Sequence, residues 1–302
     1  MNNAEKLNEQ FGIKDQLQFV SGDGGLITVD IVNQHASARI STHGGQVLSY
    51  RPHGESEDLF FLSEKSAYQL GKAIRGGIPI CWPWFGDDTT GYGRPPHGFA
   101  RNQPWRMIDS MVNPDGSTTV KLSFTDTDDS KAIWPFEFHL EIEVTVGQSL
   151  EIKLTTKNIG SKAFTISQAL HSYINISDIN KVRVHGLDDI YYLDKTDGFD
   201  SKQQTGDVVV SQEIDRIYQN VPANIALIDE GLNRTVSIAA SGSKTAVIWN
   251  PWATAIEQLT DLEPQNYQRF LCVETANAAD DVIAVDPGSE HSLIASYEIQ
   301  TN

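Results

Sequence analysis

Strict alternation of apolar and polar residues runs through much of the chain. It is clearest between positions 138 and 146, where the apolar positions are Phe138, Leu140, Ile142, Val144 and Val146. A period of two predicts a strand with one buried and one wetted face. Gly147–Gln148 follows, and a second alternating run begins at Leu150, so the two runs predict a hairpin. His139 falls on the polar face, and we expect it at the surface rather than in a catalytic site.

Strand-like runs recur along the rest of the chain, at positions 26–33, 118–126, 163–170, 181–184, 207–210, 225–229, 234–240, 245–250, 268–274 and 292–299. Helical patterning is scarce: it is limited to residues 3–10 and, more weakly, 63–69. No low-complexity linker or repeat of fixed period divides the sequence. The pattern predicts an all-β sandwich or barrel with few short helices, in one domain over 1–302 with its core at about 20–300.

Charge and composition narrow the range of partners. The 302 residues carry a net charge of −17, and 39% of them are hydrophobic, which is enough for a real core. A pI near 4.7 opposes nucleic acid or an anionic membrane as the main partner. If the ligand is an anion, the protein must therefore build a local basic site against its own overall field.

The two cysteines, Cys81 and Cys272, lie far apart among apolar neighbours, and we expect buried, reduced thiols. Neither a signal peptide near the first residue nor an apolar run of membrane-spanning length is evident. We therefore expect a cytoplasmic protein. A monomer is the default expectation, because no exposed apolar stripe is evident.

The segment 75–101 is too rich in Gly and Pro for regular structure, yet it concentrates three arginines, a histidine and the aromatic residues Trp82, Trp84, Phe85, Tyr92 and Phe99. Aromatic faces suit the apolar side of a sugar ring, and arginine suits an anion held by paired hydrogen bonds. A binding loop is one interpretation; a long structural loop packed on its own Trp and Pro residues is the other. Whether Trp82 and Trp84 contact sugar or only pack is open at this stage.

Two ionisable residues lie in runs that are otherwise apolar. His171 ends the run AFTISQALH, and Glu274 closes FLCVE. A buried imidazole is readily tuned near neutral pH, and a desolvated carboxylate becomes a base of raised pKa. A core histidine bonded to backbone and a strand-end surface glutamate are the alternatives.

Other chemistry-bearing positions are Arg75, His97, Arg101 and Asp215, with a polar-aromatic WNPW segment at 249–252. The sequence has no GxGxxG before a helix, no Walker-type loop, no HExxH and no GxSxG. Nucleotide binding and the corresponding hydrolase and zinc-protease chemistries are therefore not indicated.

Taken together, six motifs in order resemble the aldose 1-epimerase superfamily, and within it the hexose-6-phosphate mutarotase branch. They are RGGIPICWPWFG (75–86), HGFAR (97–101), QALHSYI (168–174), DRIY (215–218), WNPW (249–252) and CVETAN (272–277). The resemblance implies a galactose-mutarotase-like super-β-sandwich with the sugar in an open cleft on one sheet.

The resemblance also implies roles for individual residues. His171 and Glu274 would be the catalytic pair, His97 and Asp215 would contact sugar hydroxyls, and Arg75 and Arg101 would hold a phosphate. The implied reaction is interconversion of the α and β anomers of glucose 6-phosphate or a related hexose phosphate, with neither cofactor nor metal. Opening the hemiacetal needs a base for the C1 hydroxyl proton and an acid for the ring oxygen, which suits two groups of differing pKa.

Two other functions are compatible with the same residues. A non-catalytic carbohydrate-binding β-sandwich would use the Trp-rich loop as a stacking platform. A glycoside hydrolase would usually need two carboxylates, and Asp215 would have to be the second beside Glu274.

Overall fold

A computed structural model of the chain describes residues 3–88, 90 and 94–301. Tyr92, one of the aromatic residues of the predicted binding loop, lies outside the described residues. Antiparallel sheets dominate the described part of the chain, and the predicted all-β fold with few short helices is confirmed. The single-domain interpretation stays a prediction.

One eight-stranded sheet, here called the front sheet, has the strand order β15-β14-β16-β19-β20-β11-β5, with β12 also paired to β20. Its strands are β5 (Ile80–Cys81), β11 (Gln168–Leu170), β12 (Tyr173–Asn175), β14 (Tyr191–Asp194), β15 (Asp200–Gln203), β16 (Ile214–Gln219), β19 (Thr245–Asn250) and β20 (Phe270–Asn277).

A second eight-stranded sheet, the back sheet, has the order β13-β17-β18-β22-β9-β8-β7-β6. Its strands are β6 (Arg106–Val112), β7 (Thr118–Thr125), β8 (Phe138–Val146), β9 (Leu150–Asn158), β13 (Val182–His185), β17 (Asn224–Asp229), β18 (Arg234–Ser241) and β22 (Glu290–Thr301). The predicted β8–β9 hairpin is present, with Val146 opposite Leu150. His139 is partly exposed on β8, as expected from its place on the polar face.

The remaining strands form two smaller sheets. Four of them pair in chain order, β1 (Leu17–Ser21), β2 (Ile27–Val32), β3 (Ala36–Ser41) and β4 (Gln46–Pro52), and a further pair consists of β10 (Phe164–Ile166) and β21 (Ile283–Val285). The α-helices of the described residues are α1 (Asn3–Phe11), α2 (Asp128–Ile133) and α3 (Trp252–Ala255). None of the helices in the described ranges is long and apolar enough to cross a membrane.

The main core lies between the front and back sheets. Leu170, Ile248 and Val273 of the front sheet belong to the same buried cluster as Leu140 and Leu154 of the back sheet. Alternate residues of the front-sheet strands therefore face this core, and those between them face the other way. Cys81 and Cys272 are buried and unbonded to each other, as predicted.

Two predicted elements are wrong. Residues 63–69 form turns rather than a helix, because the hydroxyl of Ser66 bonds both the backbone N–H and the carbonyl of Arg75, which draws this segment onto the next one. Residues 207–210 make only an isolated bridge between Val208 and Val184. Burial does alternate along this segment, since Val208 is buried and Val209 is exposed, but the segment adds no strand to the back sheet beside β13.

Other elements carried too little pattern to be predicted. These are β1, β3, β4, β5, β6, β12, β14, β15, β16, β21, α2 and α3. The predicted run 163–170 is two strands: it breaks at Ser167, after which the chain passes from the β10–β21 pair into the front sheet. The other predicted strands are confirmed: 138–146 and 245–250 coincide with β8 and β19, and the rest are shifted by a residue or more at one end or both.

Trp82 is a packing residue. Its side chain is fully buried, its indole N–H donates to Thr156 Oγ1 at 2.9 Å, and its ring contacts Phe99, Trp134 and Phe138. Trp84 is half-buried: its indole N–H donates to the Pro95 carbonyl at 2.9 Å, and the guanidinium of Arg94 covers its ring.

The substitution Trp82→Ala should lower the free energy of unfolding by about 3–5 kcal/mol, because it empties an enclosed aromatic cluster and leaves the Thr156 hydroxyl without its donor. Trp84→Ala is the matched control and should cost clearly less. Urea denaturation of both variants measures the difference. Equal losses would show that Trp82 is not a core residue.

Candidate active site

His171 and Glu274 lie directly opposite each other: Glu274 is on β20, and His171 lies between β11 and β12, which both pair with β20. Leu170 pairs with Thr275 and Tyr173 pairs with Cys272, so the unbroken register places position 171 against 274. Residues opposite each other on an antiparallel pair project from the same face. His171 Nε2 and Glu274 Oε1 are 3.4 Å apart. The sheet therefore brings together the two residues that the sequence singled out as an acid–base pair.

The pair lies on the face of the front sheet that points away from the main core. Along β20, Leu271 and Val273 face the core, whereas Cys272 and Glu274 face the other way. Asp215 shares this second face, because it pairs with Trp249, which in turn pairs with Cys272. The apolar run that made Glu274 conspicuous in the sequence is thus buried on both faces.

Aromatic rings surround the imidazole of His171. The Tyr173 ring stacks on it, with centroids 4.9 Å apart and planes 13° apart, and Trp249 and His97 present T-shaped contacts at 5.9 and 5.7 Å. The backbone N–H of His171 donates to the Pro79 carbonyl. Among the described residues no group bonds Nδ1, and Glu274 Oε2 likewise has no described partner. Each member of the pair therefore has one buried polar atom that no described group satisfies.

Burial shifts the two members of the pair in opposite directions. Desolvation raises the pKa of Glu274 well above its usual range, and the charge of Asp215 adds to this while Lys195 and Arg101 oppose it. Desolvation lowers the pKa of His171, and His97, Arg101 and Arg75 lower it further. Both shifts have the same physical origin, because a dry site disfavours a protonated imidazole and an ionised carboxyl group alike.

His97 comes from the predicted binding loop and lies against His171. Its φ of 64° is in the left-handed region, and its backbone N–H donates to the Gly86 carbonyl at 2.8 Å. Burial, then the charges of Arg101, Lys195 and Arg75, lower the pKa of His97 to about 3. It is therefore a neutral imidazole whose Nδ1 accepts from the backbone N–H of Gly86 at 3.3 Å, which leaves Nε2–H as a donor.

Arg75, Arg101 and Lys195 act on this face, and Arg101 is the one for which the described residues supply no carboxylate partner. Arg75 Nε donates to Asp261 Oδ2 at 2.9 Å, and Lys195 Nζ donates to Asp215 Oδ2 at 2.6 Å. Arg101 Nη2 donates to the Pro96 carbonyl, and within the described ranges its buried Nε has no hydrogen-bond partner. Arg101 is thus the cation best placed to take an anionic ligand.

Lys195 was not found from the sequence. It begins a short 3₁₀ turn, Lys195–Asp197, between β14 and β15, where no pattern marks it. Only the pairing of β14 with β16 brings it beside Asp215. Burial raises the pKa of Asp215, and Lys195 opposes that rise.

His171, Cys272 and Glu274 offer donor atoms within 4.8 Å of one another, a set that could hold a metal ion. Charges of both signs act on these groups: Arg75 and Arg101 on His171, and Asp215 and Lys195, with opposite effects, on Glu274.

An acid–base pair on the outer face of a β-sheet, with an uncompensated arginine beside it, defines an all-β protein with a proton-transfer site. The aldose 1-epimerase family model matches residues 28–298, and this chain belongs to that family.

Named relatives and solved structures agree with the family. Proteins named "putative glucose-6-phosphate 1-epimerase" are 36% identical over 85% of this chain and 79% of their own length in Cenchrus ciliaris, and 34% identical over 84% of each chain in Escherichia coli K12. A crystal structure of YeaD from Salmonella typhimurium, described as a "putative mutarotase", superposes with a TM-score of 0.89 at 29% identity, covering 97% of this chain and 96% of YeaD. The galactose-mutarotase-like fold expected from the six motifs is confirmed.

The lowered pKa of His97 predicts a specific loss of stability in acid. The imidazole takes up a proton near pH 6.5 in the unfolded chain but only near pH 3 in the folded chain. The stability that the neutral imidazole contributes is therefore full above pH 6.5 and is lost as the pH falls towards 3. His97→Asn removes the titration and tolerates the positive φ. Between pH 6 and 4 the free energy of unfolding of the wild type should fall more steeply, by up to about 1.4 kcal/mol per pH unit. Urea denaturation across this range measures it; parallel profiles would contradict the assignment.

Proposed function

We propose that this protein is a hexose-6-phosphate mutarotase that interconverts the α and β anomers of glucose 6-phosphate or a related aldohexose 6-phosphate. The observation that carries the proposal is the His171–Glu274 pair, 3.4 Å apart and buried on one sheet face. The relatives named as glucose-6-phosphate 1-epimerases support the choice of substrate.

The geometry of the pair fits the chemistry of a hemiacetal. The C1 hydroxyl and the ring oxygen are bonded to the same carbon, so the base and the acid that serve them must also lie close together. Glu274 takes the proton of the C1 hydroxyl while His171 gives a proton to the ring oxygen, and the C1–ring oxygen bond breaks to leave an aldehyde. After rotation about C1–C2 the two groups exchange roles: His171 takes the proton of the C5 hydroxyl, Glu274 gives its proton to the aldehyde oxygen, the ring closes on the other face, and each group returns to its starting protonation state.

The groups around the pair fill the remaining roles. His97, as a neutral imidazole, and Asp215 bind sugar hydroxyls on the same face of the sheet. Arg101 holds the phosphate with its uncompensated charge. Arg75, the second predicted phosphate ligand, already donates hydrogen bonds from Nε to Asp261 and from Nη1 to Tyr173.

The substrate is a sugar phosphate, and we place the enzyme in the cytoplasm, which suits its two free buried thiols. The protein acting as a monomer without nucleic acid is likewise part of the proposal. A non-catalytic carbohydrate-binding role has no supporting observation here, whereas the buried pair favours catalysis.

The variants His171→Ala and Glu274→Gln should each lose accelerated mutarotation, by ~10²–10⁴-fold, because each removes one proton-transfer group. Exchange NMR of α-glucose 6-phosphate measures anomer exchange directly, and circular dichroism checks the fold. His139→Ala, on the back sheet, is the matched histidine control and should keep full activity.

Near-normal exchange in either pair variant would refute the assignment. Sugar binding without any acceleration in the wild type would favour the carbohydrate-binding alternative. A new hydrolysis product from a glycoside would favour a glycosidase, with Asp215 as the second carboxylate.

Arg101→Ala should weaken use of glucose 6-phosphate while leaving free glucose nearly unaffected. Losing charge-assisted hydrogen bonds of about 1.5–3 kcal/mol corresponds to a roughly 10- to 100-fold fall in kcat/KM for the phosphorylated sugar. Arg94→Ala is the matched control from the same loop, since Arg94 is already paired with Asp88 at 2.8 Å. If Arg101→Ala lowers kcat/KM equally for both sugars, Arg101 does not bind the phosphate.

A further inference from the structure

The orientation of the His171 ring has no hydrogen-bonded guide within the described residues. A catalytic imidazole is usually held by a bond from the nitrogen that does not react, which fixes both tautomer and ring plane. Here Nε2 faces Glu274, and Nδ1 has no described partner. The ring plane must therefore be set by packing.

Tyr173 supplies the closest packing to that ring. Its side chain is 2% exposed and lies nearly parallel to the imidazole. The stack can guide His171 only if the phenol ring is itself fixed. The Tyr173 hydroxyl accepts a hydrogen bond from Arg75 Nη1 at 2.9 Å, and the backbone N–H of Tyr173 donates to Gly77 at 2.9 Å, so both ends of the residue are tied to the segment around Arg75.

Arg75 is anchored in turn. Its Nε donates to Asp261 Oδ2, and both its backbone N–H and its carbonyl bond the Ser66 hydroxyl at 2.9 Å. Asp261 is fixed through its own carbonyl, which accepts from Ser63 Oγ at 2.6 Å. The contacts form a continuous series from a loop after α3, through Arg75 and Tyr173, to the reacting imidazole.

We propose that Asp261, Arg75 and Tyr173 are positioning residues that hold the ring of His171 in line with Glu274. This inference rests on the proposed function. Arg75 then acts on the acid–base step through Tyr173, and phosphate binding falls to Arg101. The division explains why two cations of the same loop have such different partners: one faces a carboxylate and a phenol, the other only a backbone carbonyl.

Kinetics on two substrates distinguish positioning from phosphate binding. Asp261→Asn keeps the shape of the side chain but weakens the anchor of Arg75, and Tyr173→Phe keeps the stacked ring but removes the phenol acceptor. Because a slight misplacement of a catalytic group is costly, kcat should fall roughly tenfold or more for both glucose 6-phosphate and glucose, with KM for glucose 6-phosphate little changed. Glu263 lies two residues after Asp261 and forms an exposed ion pair with Lys65. Glu263→Gln removes only that ion pair, so its kcat and KM should match those of the wild type.

A second measurement does not depend on activity. Histidine-selective NMR reports the Hε1 resonance of His171, identified by its loss in His171→Gln, and the Tyr173 ring current displaces this resonance in the wild type. Asp261→Asn should move it towards the position of an unstacked histidine and broaden it, whereas Glu263→Gln should leave it in place. Thermal unfolding confirms that each variant is folded.

Two results would overturn the inference. One is an Asp261→Asn or Tyr173→Phe variant whose KM rises for glucose 6-phosphate alone, which would return Arg75 to the phosphate. The other is a His171 resonance unchanged in both variants. If the wild type shows no mutarotase activity, the proposed function fails, and the NMR comparison alone decides whether the series positions His171.

Discussion

The central constraint on this structure is the desolvation free energy of placing the imidazole of His171 and the carboxyl group of Glu274 together on a dry sheet face. Each would be expensive alone, because an isolated buried charge is strongly disfavoured. Directly opposite each other, with Nε2 and Oε1 3.4 Å apart, His171 and Glu274 are close enough for the charge of one to offset that of the other. The unbroken register of β11 and β12 along β20 is the feature that makes this possible.

Around the pair, strands and loops divide the work. Glu274 stands on β20 and His171 lies between β11 and β12, whereas His97 and Arg101 come from the loop. The loop acts directly on the pair, because His97 contacts the His171 ring and the charge of Arg101 affects the pKa of both members. The acidic surface expected from composition is consistent with the arrangement, since Asp261 and Asp215 neutralise two nearby cations and leave Arg101 as the local attraction for an anion.

Sequence reasoning identified the pair because ionisable residues in apolar runs are conspicuous, and the β8–β9 hairpin because its alternation is complete. It could not find Lys195, whose turn has no pattern and whose partner, Asp215, is brought to it by strand pairing. Nor could it separate Arg75 from Arg101, because what differs is the partner that each meets in three dimensions. The failures at 63–69 and 207–210 have the same origin: a serine hydroxyl and the lack of a neighbouring ladder override local pattern.

The alternation along β20 has one more consequence. Val273 faces the main core and Glu274 faces the site, so a one-residue slip of this strand would exchange them, leaving a carboxyl group between the two sheets and a valine beside His171. Misfolded forms with shifted pairing would then be both unstable and inert. The recovery of enzymatic activity during refolding would thus report directly on whether β20 has paired in its native register.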